Sequence, residues 1–215
     1  MGFSQQFWIL LLLSLLEFIF LLGPVIYYKI TKKENMYSSI VVRALPPKHS
    51  LRARIVDIIV GVSAGVFLSF FAQGLLYGTV RGIIAIFGVE FYDLANSGSI
   101  DLIPPSLSTG EIIVFSLINF FVIGLCEEYF FRSVLFIEFK KKLKNWSYLL
   151  NGTIFALYHV FPGIVPIQTT ITYFLYYFLL AIFLCVLLET NNNDLLSNII
   201  AHGTFNTIPL ILSLF

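Results

Sequence analysis

The chain has 215 residues, 58% of them hydrophobic and only 12% charged, with a mean hydropathy of +0.90 and a formal net charge of +1. Soluble domains carry about 25% charged residues, so the composition excludes a water-soluble enzyme and points to an all-α, polytopic integral membrane helix bundle. The basic residues are not interleaved with an aromatic platform, which excludes nucleic acid as a partner and leaves the lipid bilayer.

Phe7–Tyr28 is long enough to cross ~30 Å of hydrocarbon. No positive region precedes it and no small-residue cleavage site follows, so a retained span is expected rather than a signal peptide. Glu17 in its middle has no partner in the sequence and reads as structural or tolerated. Lys29–Arg54 is a polar loop with Lys29, Lys32, Lys33, Arg43, Lys48, Arg52 and Arg54, broken by Pro46-Pro47 and holding a solvated His49. Ile55–Val80 is the second span, and its Gly61, Ser63, Gly65, Ser69 and Gly74 suit close helix packing in lipid. Arg81 ends it. Gly82–Phe91 is apolar but too short to cross, which predicts a short interfacial or re-entrant helix. Asp93–Gly110, with Asn96-Ser97-Gly98 and Pro104-Pro105, has the composition of a loop.

Glu111–Phe139 is the third span, long enough to tilt or to project from the membrane. Trp146–Phe161, Ile167–Leu188 (with an aromatic cluster from Tyr173 to Phe178) and Leu195–Phe215 bring the total to about six. Eleven of the thirteen Lys and Arg fall in Lys29–Arg54 and Lys140–Lys144. Two spans separate these loops, so they share a side, and the positive-inside rule makes it the cytoplasm of a multi-pass cell-membrane protein. Cys126 and Cys185 lie in apolar runs and read as small core residues rather than a disulfide or metal pair. Residues 1–110 carry generic membrane character and residues 111–215 the functional core, within one membrane domain.

That core centres on Gly124-Leu-Cys-Glu127-Glu128-Tyr-Phe-Phe-Arg132. An ionisable residue at mid-bilayer costs at least ~2.5 kcal/mol, so these charges must be paired and face inward. Glu128 and Arg132 are four apart and share a helix face. Glu127, turned by ~100°, is left over. The fourth span carries Phe155-Ala-Leu-Tyr-His159, and the sixth His202-Gly-Thr-Phe-Asn206, with His and Asn on one face. At ~1.5 Å per residue from the basic loops or Asp194, Glu127, His159 and His202 lie within a turn or two of one depth. A carboxylate, two imidazoles and an amide buried together are a catalytic or metal site by default. No HExxH and no aspartate pair in a span offers another intramembrane protease chemistry.

Glu127-Glu128-x-x-x-Arg132, Phe155-x-x-x-His159 and His202-x-x-x-Asn206, in this order and each in an expected span, resemble the three motifs of the CPBP family of intramembrane endopeptidases. This family takes in CAAX prenyl protease 2 and the bacteriocin-processing (Abi) proteins. Asn151-Gly-Thr-Ile before Phe155 and Leu195-Leu-Ser-Asn-Ile-Ile-Ala before His202 add to the likeness, which covers about Glu111–Leu212. The resemblance implies hydrolysis of a peptide bond in a membrane-anchored protein or peptide, prenylated CAAX substrates being one class. It implies that Glu127 and His159 activate a water, that Glu128 with Arg132 orients Glu127, and that His202 and Asn206 stabilise the oxyanion. No cofactor is required by this scheme. A zinc-dependent variant, with Glu127, His159 and His202 as ligands and a fourth position open, stays open beside it. So do a non-catalytic peptide-binding or immunity protein and a proton-coupled transporter, the last disfavoured by a fifth span with almost no polar residues before Glu189.

Overall fold

The computed structural model describes residues 4–32, 50–98 and 107–215. Among these residues the chain is helical, with no β-strand. We number the helices α1 (Gln5–Thr31), α2 (Leu51–Phe87), α3 (Val89–Ser97), α4 (Thr109–Leu143), α5 (Trp146–His159), α6 (Ile167–Thr190) and α7 (Leu196–Leu212). The fold is an all-α polytopic membrane bundle. Helices α1, α2, α4 and α6 are long and apolar enough to cross a bilayer. The expected fourth and sixth spans are shorter, at 14 residues for α5 and 17 for α7. Helix α5 is stopped at Val160 (φ −135°), just before Pro162. At ~1.5 Å per residue it reaches ~21 Å, less than the hydrocarbon thickness.

One boundary differs from the sequence reading. The second span does not end at Arg81; α2 continues to Phe87 as one helix of 37 residues. Arg81 lies over the Tyr77 ring one turn back, 6.0 Å from its centroid, so its charge is accommodated on the helix surface. The helix stops at Gly88, whose φ of +87° is a conformation other residues rarely adopt. The short helix expected at Gly82–Phe91 is displaced to α3, which takes in Asp93–Ser97 of the expected loop. Lys33, Arg43, Pro46, Pro47, Lys48, His49, Pro104 and Pro105 lie outside the described residues.

Helix α4 begins with a capping box. Ser108 Oγ accepts from the Glu111 N–H, and the Glu111 carboxylate accepts from the Ser108 N–H at 2.7 Å. The same carboxylate accepts from the Ser4 N–H and so ties the start of α1 to the start of α4. Further along, α4 is π-helical over Asn119–Ile123 and again over Glu128–Phe136, on either side of Gly124–Glu127. Each π segment rotates the following residues relative to an α-helix, and such insertions often mark functional positions. Within the second segment the Phe131 carbonyl accepts from Asn151 Nδ2 of α5 at 2.7 Å.

Small residues set how closely the helices approach. A Cβ on Gly61 or Gly65 of α2 would stand 2.8 Å from the Ser197 carbonyl or 2.6 Å from the Ala201 carbonyl of α7. Gly74 has open space around it, so only part of the expected small-residue face is an interface. On the other side of α7, a Cβ on Gly203 would meet the Phe120 carbonyl of α4 at 2.7 Å, and one on Gly124 would meet Gly203 N at 3.2 Å. Helix α7 is thus sandwiched backbone to backbone between α2 and α4.

Polar contacts gather one end of the bundle. Arg54 at the start of α2 pairs with Asp194 at 2.9 Å, and Asn191 donates to Asp57 at 3.1 Å. Lys140 near the end of α4 pairs with Glu189 of α6 at 2.6 Å. Cys126 and Cys185 are free and buried, as core residues.

Candidate active site

Helix α4 carries Glu127, Glu128 and Arg132, and none of them reaches solvent: their exposures are 3%, 0% and 0%. Glu128 has the fuller set of partners. Its Oε1 lies 3.1 Å from Arg132 Nη1 and 2.7 Å from His202 Nδ1, and its Oε2 accepts from Asn198 Nδ2 at 3.2 Å. The Arg132 guanidinium also lies 4.4 Å from the Phe155 ring centroid, a cation–π contact in a desolvated setting. The three guanidinium nitrogens make no hydrogen bond among the described residues, so the Glu128 carboxylate and the ring face are what offset the burial of this charge.

Glu127 is different. Its Oε2 is buried and has no hydrogen-bond partner among the described residues. His202 Nε2 lies 3.8 Å from it, beyond hydrogen-bond reach but within the span of one bridging water. With Nδ1 turned to the Glu128 carboxylate as a donor, His202 presents Nε2 to Glu127.

The close passage of α4 and α7 at Gly124 and Gly203 brings these groups together, since Glu127 lies almost one turn after Gly124 and His202 next to Gly203. Asn206 follows His202 by one turn, is half-buried, and makes no side-chain hydrogen bond among the described residues. His159, at the end of α5, is half-buried. Its Nδ1 lies 3.0 Å from the Phe155 carbonyl, and its ring stacks on Tyr177 at 4.3 Å. Phe155 stands between the two histidines, with centroid distances of 4.5 Å to His159 and 6.4 Å to His202. The structure therefore joins Glu127, Glu128, Arg132 and His202 in one cluster and places His159 beside it. Among the described residues no three His, Cys, Asp or Glu side chains gather as a metal site requires. Glu127, His159 and His202 do not form such a group here.

A family model described as "Rce1-like: Type II CAAX prenyl endopeptidase Rce1-like" matches residues 109–208. Over this stretch, a little under half of its length, the chain is similar to that family. No curated protein and no solved structure matches the chain. The matched stretch contains all six motif residues, Glu127, Glu128, Arg132, His159, His202 and Asn206. Helix α1, α2 and α3 lie outside it.

Several contacts around the candidate site went unnoticed in the sequence. Asn198 bridges Glu128 and the Leu184 carbonyl, at 3.2 and 2.7 Å. Its signal was present, since Asn198, His202 and Asn206 repeat every four residues on one face of α7. Tyr177 was visible only as one ring of an aromatic cluster. Glu17, read as structural or tolerated, accepts a hydrogen bond from Tyr158 at 2.5 Å, a partner that no spacing rule links to it because the two lie so far apart in the chain.

Proposed function

We propose that this chain is an intramembrane endopeptidase in which Glu127 is the general base. The observation that carries this reading is the inequality of the two adjacent glutamates: Glu128 is held by Arg132, His202 and Asn198, whereas Glu127 keeps a buried oxygen without a partner. A buried acceptor left unpaired is costly, and such groups concentrate where a site awaits its guest. A water between Glu127 Oε2 and His202 Nε2 gives its proton to Glu127 while its oxygen attacks the scissile carbonyl carbon. Protonated His202, held through Nδ1 by Glu128, donates from Nε2 to the developing oxyanion, where a preorganised donor in a dry site acts most strongly. Asn206, one turn along α7, is placed to add a second donor. When the C–N bond breaks, the proton on Glu127 passes to the leaving amine. His159, oriented by the Phe155 carbonyl and Tyr177, flanks the water and fixes its approach.

The substrate is a membrane-anchored protein or peptide, and a prenylated CAAX peptide is the probe that the family suggests. The protein is a multi-pass cell-membrane protein with the Lys29–Arg54 and Lys140–Lys144 side in the cytoplasm. Purified in detergent, the wild type is expected to cleave a fluorogenic prenylated CAAX peptide, with and without prior chelation. Glu127→Gln and His202→Ala are each expected to lose ~10²–10⁴-fold in kcat. Cleavage that persists in Glu127→Gln would overturn the base assignment. Activity lost on chelation and restored by added metal would favour the zinc-dependent variant instead.

A further inference from the structure

Helix α1 is regular over Gln5–Leu16 and over Phe18–Thr31, and it is broken between them at Glu17. The Glu17 N–H bonds to the Ser14 carbonyl at 3.2 Å, three residues back, and Gly23 and Pro24 lie more than a turn further on. The break therefore falls at the one acidic residue of the span. Phe20 pins this part of α1, with its ring 4.8 Å from Phe130, 5.4 Å from Phe131 and 4.9 Å edge-on from Tyr158. Tyr158 donates to Glu17 Oε1 at 2.5 Å, and its ring lies 5.0 Å from that of His159. Glu17 Oε2 is buried and has no hydrogen-bond partner among the described residues. The charged or titratable groups near Glu17 include Cys126 and Glu127 from α4, Tyr158 from α5 and His202 from α7.

Two buried carboxylate oxygens, Glu17 Oε2 and Glu127 Oε2, thus lack partners in one neighbourhood of the bundle. We propose that Glu17 is a third carboxylate of the site, contributed by α1: Tyr158 fixes its Oε1, and its Oε2 accepts the second hydrogen of the water that Glu127 deprotonates. A water whose two hydrogens are both directed has its lone pair aimed at the carbonyl carbon, a gain in orientation rather than in basicity. One proton moves from the water to Glu127 and on to the leaving amine, and Glu17 keeps its charge state throughout. This inference rests on the endopeptidase reading above. It also gives α1, outside the family match, a place in the chemistry.

The test is Glu17→Gln and Tyr158→Phe in the full-length protein. A glutamine at position 17 still accepts the Tyr158 hydroxyl, so a purely structural pin predicts wild-type activity for Glu17→Gln and damage only in Tyr158→Phe. A water-orienting carboxylate predicts ~10–100-fold lower kcat for Glu17→Gln, with KM within ~2-fold and an unchanged unfolding temperature. Tyr158→Phe is expected to lose less, and the double variant no more than Glu17→Gln alone, because the two act as a unit. Wild-type kcat in Glu17→Gln would overturn the proposal. A second readout needs no turnover: the infrared carboxyl bands that vanish in Glu127→Gln should shift in Glu17→Gln if both groups share one water. Unmoved bands would overturn the Glu17 assignment even if no peptide is cleaved, whereas shifted bands without cleavage would overturn only the endopeptidase reading.

Discussion

Arg132 has no exposed surface, and its charge is balanced by Glu128 at 3.1 Å and the Phe155 ring at 4.4 Å. Removing one partner of a buried pair strands the other charge, at a cost of about 3–5 kcal/mol. Arg132→Ala is therefore expected to lower the unfolding temperature in detergent more than any other single change at the site. Glu128→Gln asks a different question. The amide keeps one acceptor oxygen for His202, but its NH2 then faces the Asn198 donor, and the negative charge beside the His202 ring is gone. Peptidase activity should fall with kcat while KM holds, the pattern of an interaction made in the transition state. An equal rise in KM would instead place Glu128 in substrate binding.

At the level of elements, the site depends on how near α7 comes to α4. Gly203 decides this, because an added Cβ would stand 2.7 Å from the Phe120 carbonyl, a backbone atom that cannot swing aside. Gly203→Ala is expected to push α7 away, part His202 from Glu127 and Glu128, and cost ~10²-fold in activity along with some stability. Gly74→Ala is the control: it sits in open space on α2, and alanine there should be neutral or stabilise by up to ~1 kcal/mol. Comparing the two by thermal unfolding and peptide cleavage separates close approach from generic helix effects. The π-helical segments of α4 belong to the same account. They turn Glu127 and Glu128 against α7 and free the Phe131 carbonyl for Asn151.

Across the whole molecule, the Arg54–Asp194 and Lys140–Glu189 pairs place the start of α2, the end of α4 and the α6–α7 turn at one end of the bundle. The Glu111 contacts with Ser4 and Ser108 tie the starts of α1 and α4 at the other. Cysteines placed at Lys142 and Asn193 should thus be labelled together by a membrane-impermeant thiol reagent, and one at Ser108 from the opposite side. With the basic end in the cytoplasm, intact cells label Ser108→Cys, while the other two react only after permeabilisation. The native thiols, Cys126 and Cys185, are buried and give little background. Labelling of Ser108 and Lys142 positions from the same side would refute the arrangement.

Composition alone sufficed for the fold class, because a bilayer admits a 58% hydrophobic chain only as helices or a barrel, and the apolar runs here are of helical length. Polar groups at mid-span singled out Glu127, Glu128, Arg132, His159, His202 and Asn206 as candidates, since a membrane tolerates such groups only with a reason. The Glu128–Arg132 pair follows from a spacing of four within one helix. Contacts between distant segments have no such local signature. Which glutamate is saturated and which is left open, the position of His159 beside the cluster, and the arrival of Glu17 and Tyr158 next to it depend on the backbone approaches at Gly124, Gly203, Gly61 and Gly65. The end of α2 also escaped the sequence reading, because Arg81 could lie along its helix where a break was expected. Burial and spacing announce that a polar group has a task; only the packing of α1, α4, α5 and α7 assigns its partners.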